Sequence, residues 1–254
     1  MLESYLKEQR KDQPVLLMTH IVIGYPDVET SMRTVEAMVE AGVDLMELQI
    51  PFSEPIADGP VILQANQKAL AANVTVEQCF EFAETCAQRF NIPFLFISYY
   101  NILFRYGVDA FVQRMQRIGL RGAIVPDLPP EEGDAYLAAM QHSELDPIFI
   151  YSPTTPDTRL EYLARHARGF IYCVARKGVT GADTSFTDEM SSYLARCRLA
   201  TALPLAVGFG VKDARDVQFL SGQADIAVVG TQSIRILDED GVEAVGNFVA
   251  ELRT

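Results

Sequence analysis

Along the chain, short runs of Val, Ile, Leu and Phe recur, each followed by a polar turn and then an amphipathic stretch. The runs at 15–23, 44–50, 93–98, 123–126, 147–151, 169–174, 204–207 and 225–229 predict eight strands. They are near-continuously apolar rather than alternating, as in parallel strands covered on both faces. The stretches between them read as helices. Segment 30–41 brings Val35, Met38, Val39 and Ala41 to one side and stops at Gly42. Pro130, Glu131 and Glu132 place a proline and two acids at a helix start, where the helix dipole favours them. Segment 188–200 opens with Asp188 and Glu189, and 214–221 reads as another helix. The longest interval follows the second strand and holds two helices, at 61–71 and 76–89. No linker rich in Pro, Gly or Ser divides the chain, so residues 1–254 are expected to form one domain. Eight strand–helix units in this length predict a closed (β/α)8 TIM barrel with an extra helix after strand two. An open doubly wound sheet is the alternative, but no G-x-G-x-x-G follows the first strand.

Composition narrows the function classes. With 49% apolar and 22% charged residues the chain is neither disordered nor fibrous. No run of about 18 apolar residues occurs, so no membrane span is expected. The opening segment is charged from Glu3 onward and lacks the apolar core of a leader, which points to a cytoplasmic protein. Basic residues number 21 against 34 acidic, and a net charge of −13 repels nucleic acid and anionic lipid. A small anionic substrate would have to be held by local backbone donors. Cys79, Cys86, Cys173 and Cys197 show no C-x-x-C spacing and read as small buried hydrophobes. No metal is expected, because no His, Asp and Glu residues cluster at ligand spacing. No Ser or Cys has the setting of a nucleophile.

In a (β/α)8 barrel the chemistry sits where strands end, in the loops that lead to the helices. The second strand carries Glu47 and Gln49 on the same face as Leu45, with Met46 and Leu48 on the other. A carboxylate inside an apolar strand is costly unless paired, so Glu47 is either half of a structural ion pair or a general acid/base in the barrel mouth. Asp58 follows in a loop stiffened by Pro51, Pro55 and Pro60, and could pair with Glu47 in proton transfer. Glycines follow the last three strands, in Lys177-Gly178-Val179-Thr180-Gly181, Gly208-Phe209-Gly210 and Val229-Gly230-Thr231. Each alone could be a turn residue; together they suit a phosphate held by bare backbone N–H groups. Segment 176–186 is long and polar enough to serve as a lid. Asp127, after strand four, is either a helix-start residue or a site carboxylate. Tyr172 and His20 lie in strands, where core positions are the default, and His142 and His166 are expected to face solvent.

These residues also carry a resemblance. The stretch from Glu47 to Pro60 resembles the signature of the tryptophan synthase α subunit family, usually E-L-G-I-P-F-S-D-P-x-A-D-G-P. Similar strings follow in the family's order at Gly24-Tyr25-Pro26-Asp27, Tyr99-Tyr100-Asn101, Val125-Pro126-Asp127-Leu128-Pro129, Ser152-Pro153-Thr154-Thr155-Pro156, Gly178-Val179-Thr180-Gly181-Ala182 and Gly208-Phe209-Gly210. The resemblance implies a lyase that splits indole-3-glycerol phosphate into indole and glyceraldehyde 3-phosphate by a retro-aldol reaction. It implies that Glu47 shuttles protons, that Asp58 holds the indole N–H, and that Tyr172 stands in the active site. It assigns phosphate binding to Gly181, Gly210, Gly230 and Thr231, the last where serine is usual. It sets His20, Gln49, Ile97, Asp127, Thr180 and Phe209 around the substrate, Thr180 on the closing loop. No cofactor is implied in this chain; pyridoxal phosphate belongs to the β subunit, the partner expected in an α2β2 assembly.

Besides Thr231, four positions depart from the family pattern. Gln49 replaces a glycine and His20 a phenylalanine, both where the indole ring would sit. Glu54 replaces an aspartate, and Gln232 departs after the phosphate loop. Filling a packed site typically costs roughly 1–3 kcal/mol, and an unpaired amide costs more. Three readings stay open at this point: an ordinary α subunit, a barrel aldolase with another phosphorylated substrate, and a subunit that mainly activates a β partner. Gln49→Gly is expected to raise affinity for indole-bearing ligands.

Overall fold

Eight parallel strands form a closed ring in the computed structural model. They are β1 (Leu16–Val22), β2 (Leu45–Gln49), β3 (Phe94–Ile97), β4 (Gly122–Ile124), β5 (Asp146–Tyr151), β6 (Ile171–Val174), β7 (Leu205–Gly208) and β8 (Ile226–Val229). They stand in chain order around the ring, and β8 pairs back onto β1. The structure describes residues 2–174, 188–208 and 210–253.

Helix α1 (Leu2–Gln9) precedes the barrel and α2 (Val28–Glu40) follows β1. Both α3 (Pro60–Ala71) and α4 (Val76–Arg89) follow β2, which is the extra helix expected there. Next come α5 (Tyr100–Tyr106) and α6 (Val108–Arg117), then α7 (Asp134–His142) after β4 and α8 (Asp157–His166) after β5. The ring is completed by α9 (Asp188–Ala200), α10 (Ala214–Leu220), α11 (Thr231–Asp240) and α12 (Val242–Glu251), the last packed on α2. Among the described residues no helix is long and apolar enough to cross a membrane.

Local chemistry sets the boundaries. Helix α2 starts two residues earlier than its apolar pattern suggests, because the Asp27 carboxylate accepts the Thr30 N–H at 2.7 Å and caps the helix. It stops where Gly42 turns to a φ of +91°. The fourth strand is shorter and earlier than 123–126. A Cβ at Gly122 would collide with the Asp146 carbonyl, so glycine lets β5 approach, and the Leu128 N–H takes the Val125 carbonyl and turns the chain out of the sheet. The helix expected at Pro130 is also displaced. Pro130–Glu132 is a single 3-10 turn closed by Gly133, and α7 begins only at Asp134.

Side-chain alternation splits the apolar residues into two cores. Leu17, Ile21, Met46 and Leu48 face outward under the helices, while Leu16, Met18, Leu45, Leu95, Ile148 and Ile226 fill the barrel. Leu2 and Leu6 of α1 join the inner core and plug the end where the strands begin. Each such buried leucine stabilises the fold by about 1.5–3 kcal/mol. The opposite end is left to polar side chains.

Candidate active site

His20, Glu47, Gln49 and Tyr172 lie near the C-terminal ends of β1, β2 and β6, at positions whose parity directs them into the barrel. His20 and Glu47 stand opposite each other in the β1–β2 register, and each is 2% exposed. The imidazole Nδ1 lies 3.0 Å from Glu47 Oε1. Either the ring donates to a carboxylate or a protonated carboxyl donates to the bare nitrogen. Glu47 Oε2 and His20 Nε2 are buried and have no hydrogen-bond partner among the described residues. One Glu47 oxygen is thus paired with His20, and the other has no partner among the described residues.

Asp58 is half-buried in the loop after β2. Its Oδ2 accepts the Gln49 amide Nε2–H at 2.6 Å and the Tyr99 hydroxyl at 3.2 Å. Burial pushes the Asp58 carboxyl above its ordinary range, against the pull of the Gln49 amide, and the Glu47 charge adds to the rise. The amide expected to be unpaired against an aromatic pocket is thus half corrected. Gln49 is fully buried, its Nε2 is paired with Asp58, and only Oε1 lacks a partner among the described residues.

The loop carrying Asp58 is held by more than its prolines. The Phe52 N–H donates to Asn66 Oδ1 at 2.9 Å, and Asn66 Nδ2 anchors on the Ile62 carbonyl at 2.8 Å. The Ala57 N–H reaches the Tyr99 hydroxyl at 3.2 Å, and the Tyr99 ring stacks on Phe52 with centroids 5.0 Å apart. Sequence reasoning gave neither Tyr99 nor Asn66 a role. Asn66 did leave a signal, since it is a polar residue among Ile62, Ala65 and Ala69 on the buried face of α3.

Burial, followed by the charges of Glu47 and Asp58, pushes the Tyr172 phenol well above its ordinary value, so the hydroxyl stays protonated and able to donate. Glycine beside it provides space. A Cβ at Gly208 would stand 2.9 Å from the Tyr172 hydroxyl, and one at Gly230 would stand 3.3 Å from the His20 Cβ. Gly210 sits at a φ of +68°. Gly230 precedes α11 as its N-terminal residue without a side-chain cap, and Thr231 opens the helix. The first N–H groups of a helix have no intrahelical acceptor and favour an anion.

Ile97 lies at the end of β3 in the inner core, beside the mouth and in register with Gln49. Asp127 is exposed and stands three residues before the 3-10 turn at Pro130, so it does not itself start a helix; its carboxylate accepts the Tyr100 N–H at 2.9 Å, at the beginning of α5 in the preceding unit. His142 is exposed, whereas His166 is half-buried with its ring 4.8 Å from that of Tyr162. All four cysteines are buried and free. Thr180, Gly181, Phe209 and the lid segment 176–186 lie outside the described residues.

Comparison with known proteins gives a consistent result. The family model described as tryptophan synthase alpha chain matches residues 6–252. The tryptophan synthase alpha chain of Desulforapulum autotrophicum is 64% identical over 252 residues, covering 99% of this chain and 100% of the relative. That of Syntrophotalea carbinolica is 62% identical over 253 residues, with both chains fully covered. Among solved structures, tryptophan synthase of Mycobacterium tuberculosis superposes with a TM-score of 0.93 at 31% identity, covering 99% of this chain and 96% of that one.

Proposed function

The chain belongs to the tryptophan synthase alpha chain family, lyases that cleave indole-3-glycerol phosphate, and on that premise we propose how its residues divide the reaction. Glu47 is the proton carrier. Its buried, unpartnered Oε2 is the observation that carries the reading, because a general acid/base needs one atom free to exchange a proton with substrate. Protonating the ring carbon that bears the glycerol chain makes the indole an electron sink. Asp58 holds the indole N–H and stabilises the positive charge that develops there, an electrostatic preorganisation supported by its inward position beside Gln49 and Tyr99. Removal of a proton from the chain hydroxyl then drives carbon–carbon cleavage, releasing indole and glyceraldehyde 3-phosphate. The proton lost by the carboxyl to the ring is replaced by the one taken from the hydroxyl. Tyr172 stands over the same space.

The phosphate is assigned to backbone donors at Gly181, Gly210, Gly230 and Thr231, which suits a chain whose net charge of −13 offers an anion no general attraction. His20, Gln49, Ile97, Asp127, Thr180 and Phe209 line the substrate in this reading. Family membership implies a β-subunit partner. The α2β2 assembly, with pyridoxal phosphate confined to that partner, is the finer form proposed, together with a cytoplasmic setting suited to four free thiols.

The test is indole release from indole-3-glycerol phosphate by the purified chain, with and without a β subunit. Turnover that rises with the partner is expected. Glu47→Gln is expected to cut turnover by about 10²–10⁴-fold with phosphate-ligand affinity preserved. Substantial turnover in that variant would remove Glu47 from the role. Stimulation of a β subunit with no lyase turnover would mean that the chain acts as an activator.

A further inference from the structure

The two buried departures from the family pattern, His20 and Gln49, each hold one catalytic carboxylate. We propose that they are positioning residues, His20 for Glu47 and Gln49 for Asp58. The proposal rests on the catalytic assignment above and explains how this chain meets it. Each grip takes one oxygen. His20 Nδ1 engages Oε1 of Glu47 at 3.0 Å and leaves Oε2 unpartnered among the described residues. Gln49 Nε2 engages Oδ2 of Asp58 at 2.6 Å, and Tyr99 donates to that same oxygen.

The arrangement is rigid for a physical reason. His20 and Gln49 project from paired strands of a closed barrel, and both are at most 2% exposed. The His20 Cβ packs against the backbone at Gly230, where an added Cβ would lie only 3.3 Å away. A carboxyl tied at one oxygen by such a group cannot rotate freely, so its second oxygen keeps one direction. Phenylalanine and glycine, the residues usual for the family at these positions, carry no side-chain donor and could not provide either grip. The substitutions that look like damage to an aromatic pocket therefore work as clamps.

The experiment compares the full-length chain with His20→Phe, His20→Asn and Gln49→Met, each checked by its melting curve. The asparagine amide nitrogen can occupy the place of imidazole Nδ1, and methionine keeps the length of glutamine without its donor. His20→Phe is expected to lower kcat about tenfold, a larger change than in KM, and His20→Asn to recover most of the kcat that His20→Phe loses. Gln49→Met is expected to lower kcat/KM about tenfold. Nitrogen-15 NMR of labelled histidine in the parent chain gives a readout independent of turnover. The His20 Nδ1 resonance is expected to move on Glu47→Gln while His142 and His166 stay in place. A His20→Phe or Gln49→Met variant as active as the parent overturns the corresponding clamp. An asparagine variant as poor as phenylalanine, or a His20 resonance indifferent to Glu47→Gln, overturns the His20 clamp. If the parent releases no indole, the lyase assignment fails, and the NMR result alone decides the His20 clamp.

Discussion

The two ends of the barrel treat their carboxylates differently. At the end where strands begin, Asp44 accepts the Leu17 N–H at 2.7 Å and pairs with Arg253. Asp225 accepts the Leu205 N–H at 2.8 Å, pairs with Arg198, and reaches Arg10 at 2.9 Å. Each of these two acids has a guanidinium and a backbone donor, and each ties segments far apart in the chain. Asp146 has a weaker hold, the Leu2 N–H at 3.1 Å, and burial pushes its carboxyl upward. At the opposite end Glu47 and Asp58 receive no arginine among their described partners; a histidine, an amide and a phenol hold them by one oxygen apiece. The first arrangement satisfies charge and supports stability. The second leaves oxygens without a charged partner, an arrangement that fits the roles proposed for Glu47 and Asp58.

The largest stability effect should come from the closed end. Asp44→Ala removes the partner of both Arg253 and the Leu17 N–H, and is expected to cost about 3–5 kcal/mol in urea unfolding with kcat unchanged. A loss under about 1 kcal/mol would mean that the closed end is not held by its acids. A smaller effect of opposite sign is expected at the mouth. Burial raises the carboxyl of Asp58 above its ordinary value, so its contribution favours the fold at low pH and is lost as pH rises through the folded-state value. Asp58→Asn should therefore lose lyase activity yet gain stability, on the order of 0.5–2 kcal/mol at neutral pH. The gain should vanish on acidification below the carboxylate range. A variant less stable than the parent at pH 8 would contradict this strained view of the mouth.

The smallest effect separates pairing from burial. Arg159 holds the exposed Glu131 carboxyl down to about 2. A depressed carboxyl adds stability above its ordinary value, and this is lost only as pH falls toward that lower figure. Glu131→Gln should leave the melting temperature at pH 7 within about one degree of the parent, since exposed pairs contribute little. Melting curves between pH 4 and pH 2 should show the difference shrinking further.

Much of this molecule could be read from local pattern. The apolar runs located every strand within a few residues, and strand parity put Glu47 and Gln49 on one face, because alternation belongs to the strand itself. Asp58 and the glycines after the last strands were marked by residue type. What local pattern could not supply was partnership. Nothing near His20 in sequence indicates that Glu47, 27 residues on, will take its Nδ1, and Arg253 meets Asp44 across 209 residues. Such contacts depend on register and ring closure, which accumulate over the whole chain. For the same reason Gln49 reads in sequence as an obstruction, whereas the folded loop brings Asp58 to its amide. Periodicity alone therefore specified the barrel and the faces of its strands. Only the closed tertiary structure decided which carboxylates are neutralised and which keep an oxygen free, because that depends on what a distant segment brings within about 3 Å.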